Sequence, residues 1–304
     1  RMMHTRPLFH FLTITETRSI SAAARELGIT QPAISRSIKQ LEESLGVKLL
    51  ERRANGVILT PEGRVLARRV KLMNIEYQHA LAEMVDLNQG IGGRLRIAAG
   101  PVWILEFLPP VIREFHEQFP NVRISVVSGG YAGQLEQLLS GELDAVCGTL
   151  DFPDHSEIIK ESILRIRHTV IAREGHPLSS LKRVTPQDLA SYPWLVHANH
   201  VQSTSRIGAY FAFHGLEPPK IAIETSTLGG VAFLRKTDFL ATYAEQGLTT
   251  LKEMGIIGID SEGTFWDFEA GIVRRRSTKT LPALRSFTAM VRAALQTRPS
   301  VIKS

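Results

Sequence analysis

A narrow apolar stripe between residues 66 and 87 restricts the fold of this chain more than any other feature. Its seven members recur at alternating spacings of four and three residues: Leu66, Val70, Met73, Tyr77, Ala80, Met84 and Leu87. Such a two-position heptad is typical of a helix whose apolar seam pairs with a second helix. The spacing therefore predicts a long linker helix over residues 61–90, with a short part of the chain before it and a long part after it.

Helix-starting and helix-ending residues bound this stretch. Thr60, Pro61 and Glu62 supply a capping hydroxyl, a residue suited to the first turn, and an acid at the positive end of the helix dipole. Three glycines between residues 90 and 93 end the helix. Docking of the helix on its own domain is the alternative to self-pairing. We expect self-pairing, because the short part before the helix offers little surface to cover it.

Positive charge is concentrated in the first quarter of the chain. Residues 1–72 contain 13 Lys and Arg against 6 Asp and Glu, whereas residues 73–304 contain 23 against 24. A short basic part joined to a neutral one favours binding of a polyanion such as nucleic acid. A solvated surface without a partner is the alternative that charge alone leaves open.

The composition excludes several classes of protein. A single cysteine, Cys147, excludes a disulfide framework and a cysteine-rich zinc module. No uncharged apolar run reaches the roughly 18 residues of a membrane span, and the first 20 residues lack a signal-peptide core. We therefore expect a cytoplasmic protein of two or three domains with no membrane partner.

Residues 19–44 predict two short helices joined by a tight turn. Ser19 or Ser21 can cap the first helix, and Gly28 can end it with a positive φ angle. Thr30 can cap the second helix, which we expect to run to about Ser44.

The second of these helices has an apolar face and a polar face. The apolar stripe consists of Ile34, Ile38, Leu41 and Leu45, and the polar face carries Gln31, Ser35, Arg36 and Lys39. Such a helix fits the major groove of DNA, where Arg36 would pair with guanine and Gln31 with adenine. Ser35 would meet a base or a phosphate, and Lys39 a phosphate. An ordinary amphipathic helical hairpin is the alternative.

Residues 47–60 predict a β-hairpin. Asn55-Gly56 is the strongest short hairpin signal, and Arg52 and Arg53 flank it. A hairpin wing of this kind would place guanidinium groups along a phosphate backbone.

Residues 8–70 together resemble the winged helix-turn-helix of the LysR-type transcriptional regulators. The longest matching pieces are residues 19–24 (SISAAA), 30–35 (TQPAIS) and 59–63 (LTPEG), and Leu50 departs from the Phe usual in the family. The resemblance implies a DNA-binding domain over residues 1–60, with its motif at about 20–39. It implies DNA contacts by Ser21, Thr30, Gln31, Pro32, Ser35, Arg36, Lys39, Arg52 and Arg53.

The same resemblance implies partners. Family members dimerise through the linker helix and are commonly dimers of dimers, so we expect a homotetramer on near-palindromic promoter DNA. RNA polymerase is a further candidate partner.

Strands alternate with helices after residue 93, which predicts a parallel sheet. Residues 91–304 resemble the two-lobed, periplasmic-binding-protein-like effector domain of the family, with lobes at 94–161 plus 268–304 and at 162–267. Residues 235–238 (RKTD) depart from the family's glycine-rich turn. The expected fold class is thus α/β, with an all-α-type winged head and a long linker helix.

A small-molecule effector site is expected between the lobes, because ligands of open α/β sheets bind beyond the carboxyl ends of strands. The candidate residues are Gly100, Pro101, Val102, Trp103, Ser128, Tyr131, Thr149, His197, Asn199, Ser226 and Thr227. Pro101 and Val102 stand where relatives with carboxylate effectors often have hydroxyls, which argues against a simple carboxylate at that spot. Trp103 and Tyr131 would face an aromatic or sugar-like ligand, or else belong to the core or the rim.

No catalytic or cofactor motif is present. His197 and His200 have a metal-ligand spacing but no recognisable third ligand, and P-loop, dinucleotide and Gly-x-Ser-x-Gly patterns are absent. We therefore expect no enzymatic activity, cofactor or metal. Two alternatives remain: a metabolite-binding or catalytic α/β domain with a basic tether, and a nucleoid protein that binds DNA without regard to sequence.

Overall fold

The computed structural model describes residues 5–53, 56–89, 93–128, 133–197, 201–263, 265–280 and 282–296. Tyr131, Asn199, His200, Asn55 and two of the glycines expected to end the linker helix lie outside these ranges. The chain forms two compact units, Arg1–Val85 and Asp86–Ser304.

The first unit consists of helices and one hairpin. The helices are α1 (Thr5–Thr17), α2 (Ile20–Glu26), α3 (Gln31–Leu45) and most of α4 (Pro61–Gln89), which ends beyond Val85. Strands β1 (Leu50–Arg53) and β2 (Gly56–Leu59) pair antiparallel and lie between α3 and α4 in the sequence. The core holds Phe11 and Ile14 of α1, Ile34 of α3 and Leu49, all fully buried. The helix-turn-helix, the hairpin and the long helix expected from the sequence are therefore all present.

The helix caps follow the sequence in part. The Ser19 hydroxyl accepts a hydrogen bond from the Ala22 N–H at 3.3 Å, and Gly28 has a φ angle of +65°. The expectation that the Thr30 hydroxyl caps α3 is wrong, because it makes no capping hydrogen bond. Pro32 has no N–H to donate, and the Ala33 N–H already donates to the Thr30 carbonyl at 3.0 Å.

Glu42 ties the end of α3 to the hairpin. Its side chain is only 8% exposed, and one carboxylate oxygen accepts hydrogen bonds from the N–H groups of Leu49 (2.8 Å) and Leu50 (3.3 Å). The other oxygen lies 2.7 Å from the Lys48 ammonium. Burial by itself would raise the pKa of Glu42, but the hydrogen bonds from Lys48, Leu49 and Leu50 outweigh it, and the pKa is lowered.

Long strands organise the second unit. Strands β3 (Gly93–Ala99), β4 (Val122–Ser128) and β5 (Ala145–Thr149) are parallel, and β6 (Ile158–Arg173) is followed by a separate parallel pair, β7 (Trp194–His197) and β8 (Ile221–Thr225). Strands β9 (Ala241–Ala244), β10 (Ile256–Ile259) and β11 (Trp266–Arg275) all pair antiparallel with β6. The sheet is therefore mixed, and the expectation of a parallel sheet holds for only part of it.

Helices cover these strands. A five-residue π-helix, Trp103–Phe107, leads into α5 (Leu108–Gln118), and α6 (Gln134–Leu139) and α7 (Pro186–Ala190) follow along the chain. The remaining helices are α8 (Val201–Phe213), α9 (Thr227–Leu234), α10 (Leu248–Glu253) and α11 (Pro282–Gln296), with short 3₁₀ turns at Pro177–Ser180, Glu245–Gly247 and Ser277–Thr280. No helix within the described residues has both the length and the apolarity to cross a membrane.

Strand β6 contributes side chains to two cores. Leu164, Ile166 and Ile171 belong to the largest core of the unit, whereas Val170 and Ala172 belong to a second core. Strand β11 accompanies it, pairing from Trp266 opposite His168 to Arg275 opposite Ile158. The lobe boundaries expected near residues 161 and 267 thus fall inside these two strands.

The charged turn at residues 235–238 is held by ordinary contacts. The Lys236 N–H donates to the Phe233 carbonyl at 3.0 Å, and the Asp238 carboxylate lies 2.7 Å from the Arg173 guanidinium at the end of β6. An ion pair therefore anchors the segment that departs from the family's glycine-rich pattern.

Replacing Glu42 with Ala tests the link between α3 and the hairpin. We expect the free energy of unfolding of the first unit to fall by about 1–3 kcal/mol, because the buried Leu49 N–H loses its acceptor. Urea denaturation of the full chain followed by circular dichroism measures this. The control, Glu43→Ala, removes an exposed acid 3.8 Å from Lys39 and is expected to change stability by less than about 0.5 kcal/mol.

The effect of the conservative variant Glu42→Gln should depend on pH. The folded-state pKa of Glu42 lies below its ordinary value of 4.5, so the advantage of the wild type is complete above about pH 4.5 and fades as the pH falls through the folded pKa. Equal loss of stability at pH 7 and pH 3 would contradict this account.

Candidate nucleic-acid interface and ligand cleft

One face of α3 is open to solvent. Gln31, Arg36 and Lys39 are exposed and Ser35 is half-buried, whereas Ile34, Ile38 and Leu41 on the opposite side are buried. Because the apolar stripe faces the core of the unit, the helix presents amide, hydroxyl and cationic groups outward. This is the composition that base edges and phosphates can accept.

The polar groups of this face differ in the hydrogen bonds and ion pairs that they form. The Ser21 hydroxyl of α2 donates to the Gln31 side-chain carbonyl at 3.1 Å, which orients the amide across the helix-turn-helix. Within the described ranges Lys39 forms an ion pair with the exposed Glu43 alone, at 3.8 Å. Among the described residues no carboxylate forms an ion pair with Arg36. Its guanidinium is therefore available to bind a base edge without breaking an ion pair.

His10 of α1 contacts α3, and the sequence analysis did not predict this contact. Its Nδ1 atom hydrogen-bonds to the Ser37 hydroxyl at 2.8 Å, joining α1 to α3. Burial and then the charge of Arg6 lower the pKa of His10. The contact spans 27 residues of sequence, and no local pattern could have predicted it.

The hairpin is pinned to the turn between α1 and α2. The Val57 N–H donates to the Arg18 carbonyl at 3.1 Å. Gly56 has a φ angle of +128°, and a Cβ at this position would lie 2.6 Å from the same carbonyl oxygen. Only glycine fits there, so the Asn55-Gly56 signal marks a tertiary contact as well as a turn. Arg53 is exposed and lies 3.1 Å from Glu51; the Arg52 side chain lies outside the described part of the structure.

A cleft in the second unit brings together seven of the eleven candidate effector residues. They are Gly100, Pro101, Val102, Trp103, Thr149, His197 and Ser226. Ser128 does not line the cleft and is exposed at the end of β4. Thr227 is the first residue of α9 and is not among the described residues that line the cleft. Its side chain lies outside the described part of the structure, as do Tyr131 and Asn199.

The sequence missed the residues that β6, β9, β11 and α8 contribute to the cleft. These include His168, Arg206, Tyr243, Trp266 and Phe268. The His168 ring stacks on Trp266 with centroids 4.8 Å apart, and the Arg206 guanidinium carbon lies 5.9 Å from the centre of the Trp266 ring. Their separation along the chain explains why neither periodicity nor a motif pointed to them.

Two further kinds of site were considered among the described residues: a metal site and a reactive thiol. No group of three or more His, Cys, Asp or Glu side chains in the described ranges is placed to hold a metal ion. Burial raises the pKa of the Cys147 thiol to about 12, so this cysteine stays protonated at neutral pH.

Comparison with protein families matches both parts of the chain. Residues 6–64 match the family described as "Bacterial regulatory helix-turn-helix protein, lysR family". Residues 88–296 match the family described as "LysR substrate binding domain".

Individual proteins are similar over most of the chain. The HTH-type transcriptional regulator BenM of Acinetobacter baylyi is 34% identical over 233 residues, which cover 72% of this chain and 73% of BenM. The regulator GbpR of Rhizobium radiobacter is 30% identical over 250 residues, or 80% of this chain and 81% of GbpR.

Solved structures share the fold. Full-length CbnR complexed with its target DNA superposes with a TM-score of 0.67 at 22% identity, covering 96% of this chain and 100% of CbnR. Full-length OxyR from Pseudomonas aeruginosa gives a TM-score of 0.68 at 17% identity, covering 98% of this chain and 96% of OxyR.

Replacing Gly56 with Ala tests the pinning of the hairpin. We expect the added methyl group to push the hairpin away from Arg18, so that the Val57 amide exchanges its hydrogen faster while amides in the helices keep their protection. Gly46→Ala is the control: this residue also has positive φ, at +71°, but nothing lies within 4 Å of its added Cβ. Unchanged exchange at Val57 in Gly56→Ala, or equal acceleration in the control, would contradict the contact.

Proposed function

This chain belongs to the LysR family of transcriptional regulators, and we propose that it recognises promoter DNA through α3 and responds to a small molecule bound in the cleft. The outward polar face of α3, with Arg36 free of any carboxylate partner among the described residues, is the observation that carries the proposal. Arg36, Gln31 and Ser35 would contact base edges. Lys39, Arg52 and Arg53 would contact phosphates. The ends of α2 and α3 would approach the sugar–phosphate backbone of the DNA, and the residues there are Ser21, Thr30 and Pro32.

Each part of the chain has a proposed task. Residues 1–60 form the DNA-binding domain, 61–90 the linker, and 91–304 the effector domain, with lobes at 94–161 plus 268–304 and at 162–267. Closure of the lobes on the effector would favour one arrangement of the DNA-binding domains over another. A ligand can shift this equilibrium only by binding the two states with different affinity.

Self-association through α4 completes the proposal. Leu66 packs on the core of the first unit and Val70 is buried, whereas Met73 and Tyr77 farther along the helix are 39% and 55% exposed. The side chains of Ala80, Met84 and Leu87 lie outside the described residues. A second copy of α4 would cover the exposed seam, and two heads related by two-fold symmetry would bind two half-sites. A dimer of dimers is the assembly that we propose.

The proposed function is regulatory rather than catalytic. We place the protein in the cytoplasm with its DNA, and RNA polymerase is a candidate partner once the promoter is bound. The transcriptional regulators BenM and GbpR, similar along most of the chain, support this function over a catalytic domain with a basic tether.

Arg36→Ala and Lys39→Ala separate base recognition from phosphate binding. A consensus duplex is first selected from random DNA by the wild-type protein. We expect Arg36→Ala to lose about 1–3 kcal/mol on this duplex and to lose selectivity at one base pair. Lys39→Ala should weaken binding to all sequences alike and reduce the salt slope by about one. Lys182→Ala, which removes an exposed charge from the second unit, is the control and should match the wild type.

The same selection experiment distinguishes a promoter-specific regulator from a nucleoid protein that binds DNA without regard to sequence. Equal affinity of the wild-type protein for selected and random duplexes at one salt concentration would favour the nucleoid protein and contradict the proposal.

Met73→Glu combined with Tyr77→Glu tests the seam on α4. Two carboxylates in an apolar interface should shift the protein from its assembled form to a monomer in sedimentation velocity, because unpaired charges are costly to bury. Glu76→Gln, at an exposed position of the same helix, should leave the assembly unchanged. An unaltered sedimentation coefficient in the double variant would show that α4 does not form the interface.

A further inference from the structure

Arg206 is the only charged side chain among the described residues that line the cleft. Arg206, His168 and His197 line it, while no Asp or Glu is among its described lining residues. Much of the remaining lining is apolar or aromatic, including Trp103, Trp266 and Phe268. A cleft of this composition disfavours cationic ligands and favours a ligand with an apolar body and negative charge.

Arg206 supplies a cation that the described structure leaves without a carboxylate. It lies on α8, half-buried, with its guanidinium carbon 5.9 Å from the Trp266 ring centre and 5.8 Å from that of Phe268. Trp266 and Phe268 are two positions apart on β11, so their side chains lie on the same face of the sheet. Contact with ring faces holds a guanidinium in place but accepts few of its five N–H groups, so in-plane donors remain for a ligand.

Two further donors line the same cleft. Trp103 is 1% and Tyr243 is 8% exposed, and neither the indole N–H nor the phenol hydroxyl has a hydrogen-bond partner among the described residues. Burial, and then the charge of Glu106, raise the pKa of Tyr243, so its hydroxyl keeps the proton at neutral pH. Buried polar groups are rarely left unsatisfied, and an oxygen on a ligand could accept from either of them.

The start of the helix after β3 is a poor site for a carboxylate. Pro101 has no N–H to donate and Val102 has no hydroxyl, although both line the cleft. An anionic group therefore finds its strongest donor at Arg206, and the stacked rings of His168 and Trp266 lie close by.

We propose that the effector is a planar aromatic carboxylate with a second, hydrogen-bonding oxygen. Its carboxylate pairs with Arg206, its ring packs among Trp266, Phe268 and His168, and the second oxygen accepts from Trp103 or Tyr243. This inference rests on the proposed function, since it names the chemistry of the ligand that the regulatory cleft binds.

The carboxylate is tested with 4-hydroxybenzoate and its neutral isostere 4-hydroxybenzamide as probes, by calorimetry on the full chain. The wild-type protein should bind the carboxylate about tenfold or more tightly than the amide. Arg206→Gln should abolish that preference, and Arg206→Lys should keep part of it, because lysine retains the charge without the planar fork. Arg235→Gln removes an exposed arginine outside the cleft and should behave as the wild type.

The second oxygen is tested with 4-methylbenzoate, which has the same shape but no hydrogen-bonding group. Trp103→Phe and Tyr243→Phe should weaken binding of 4-hydroxybenzoate while leaving 4-methylbenzoate unaffected. Equal losses for both probes would overturn this part of the proposal.

Two outcomes separate this inference from the proposed function. If the wild-type protein selects DNA but 4-hydroxybenzoate fails to bind, or binds no better than the amide, the inference is overturned and the regulatory function stands. If the carboxylate preference depends on Arg206 but the probe leaves DNA affinity unchanged, the inference is supported and the regulatory role of the cleft is contradicted.

Discussion

Burial of the apolar stripe of α3 is the constraint on which the first unit depends. Ile34, Ile38 and Leu41 pack on the core that α1 and α2 build, so the rotation of the helix about its axis is fixed. The polar side chains on the opposite side then face solvent wholly or in part. The Glu42 carboxylate fixes the end of the same helix against the hairpin. The surface proposed to meet DNA is therefore a consequence of core packing and of one buried carboxylate, which pairs with the exposed Lys48.

A comparable constraint shapes the second unit, where β6 and β11 run side by side through two cores. Their register shifts between Ala270 and Gly271, and a Cβ on Gly271 would lie 1.8 Å from the Glu161 carbonyl oxygen. This close approach lets the two strands stay paired while the ladder bends. His168, Trp266 and Phe268 are carried by these strands, so the walls of the cleft are set by the frame that joins the lobes.

The sequence predicted local features well and distant ones poorly. Helix α3, the Asn55-Gly56 hairpin and α4 follow from residue spacing, because their signals lie within one element. The Thr30 cap is a local prediction that was wrong, because Pro32 offers no N–H and the Ala33 N–H donates to the Thr30 carbonyl. The antiparallel pairing of β6 with β9, β10 and β11, and the presence of Arg206 and Trp266 in one cleft, are tertiary facts. The spacing of residues within a strand does not indicate which strands pair with each other. A single arginine that packs beside aromatic rings from other elements also leaves no motif in the sequence.

Site-specific photocrosslinking tests whether the polar face of α3 contacts the bases of DNA. A photoreactive amino acid is placed at Arg36, on the polar face of α3, or at Leu45, which continues the apolar stripe of the same helix but is 45% exposed. The protein is then irradiated on a duplex that it has itself selected. The proposed orientation of α3 predicts a crosslink to bases from position 36 and none from position 45. Crosslinks from position 45 alone, or from neither position while the duplex stays bound, would contradict it.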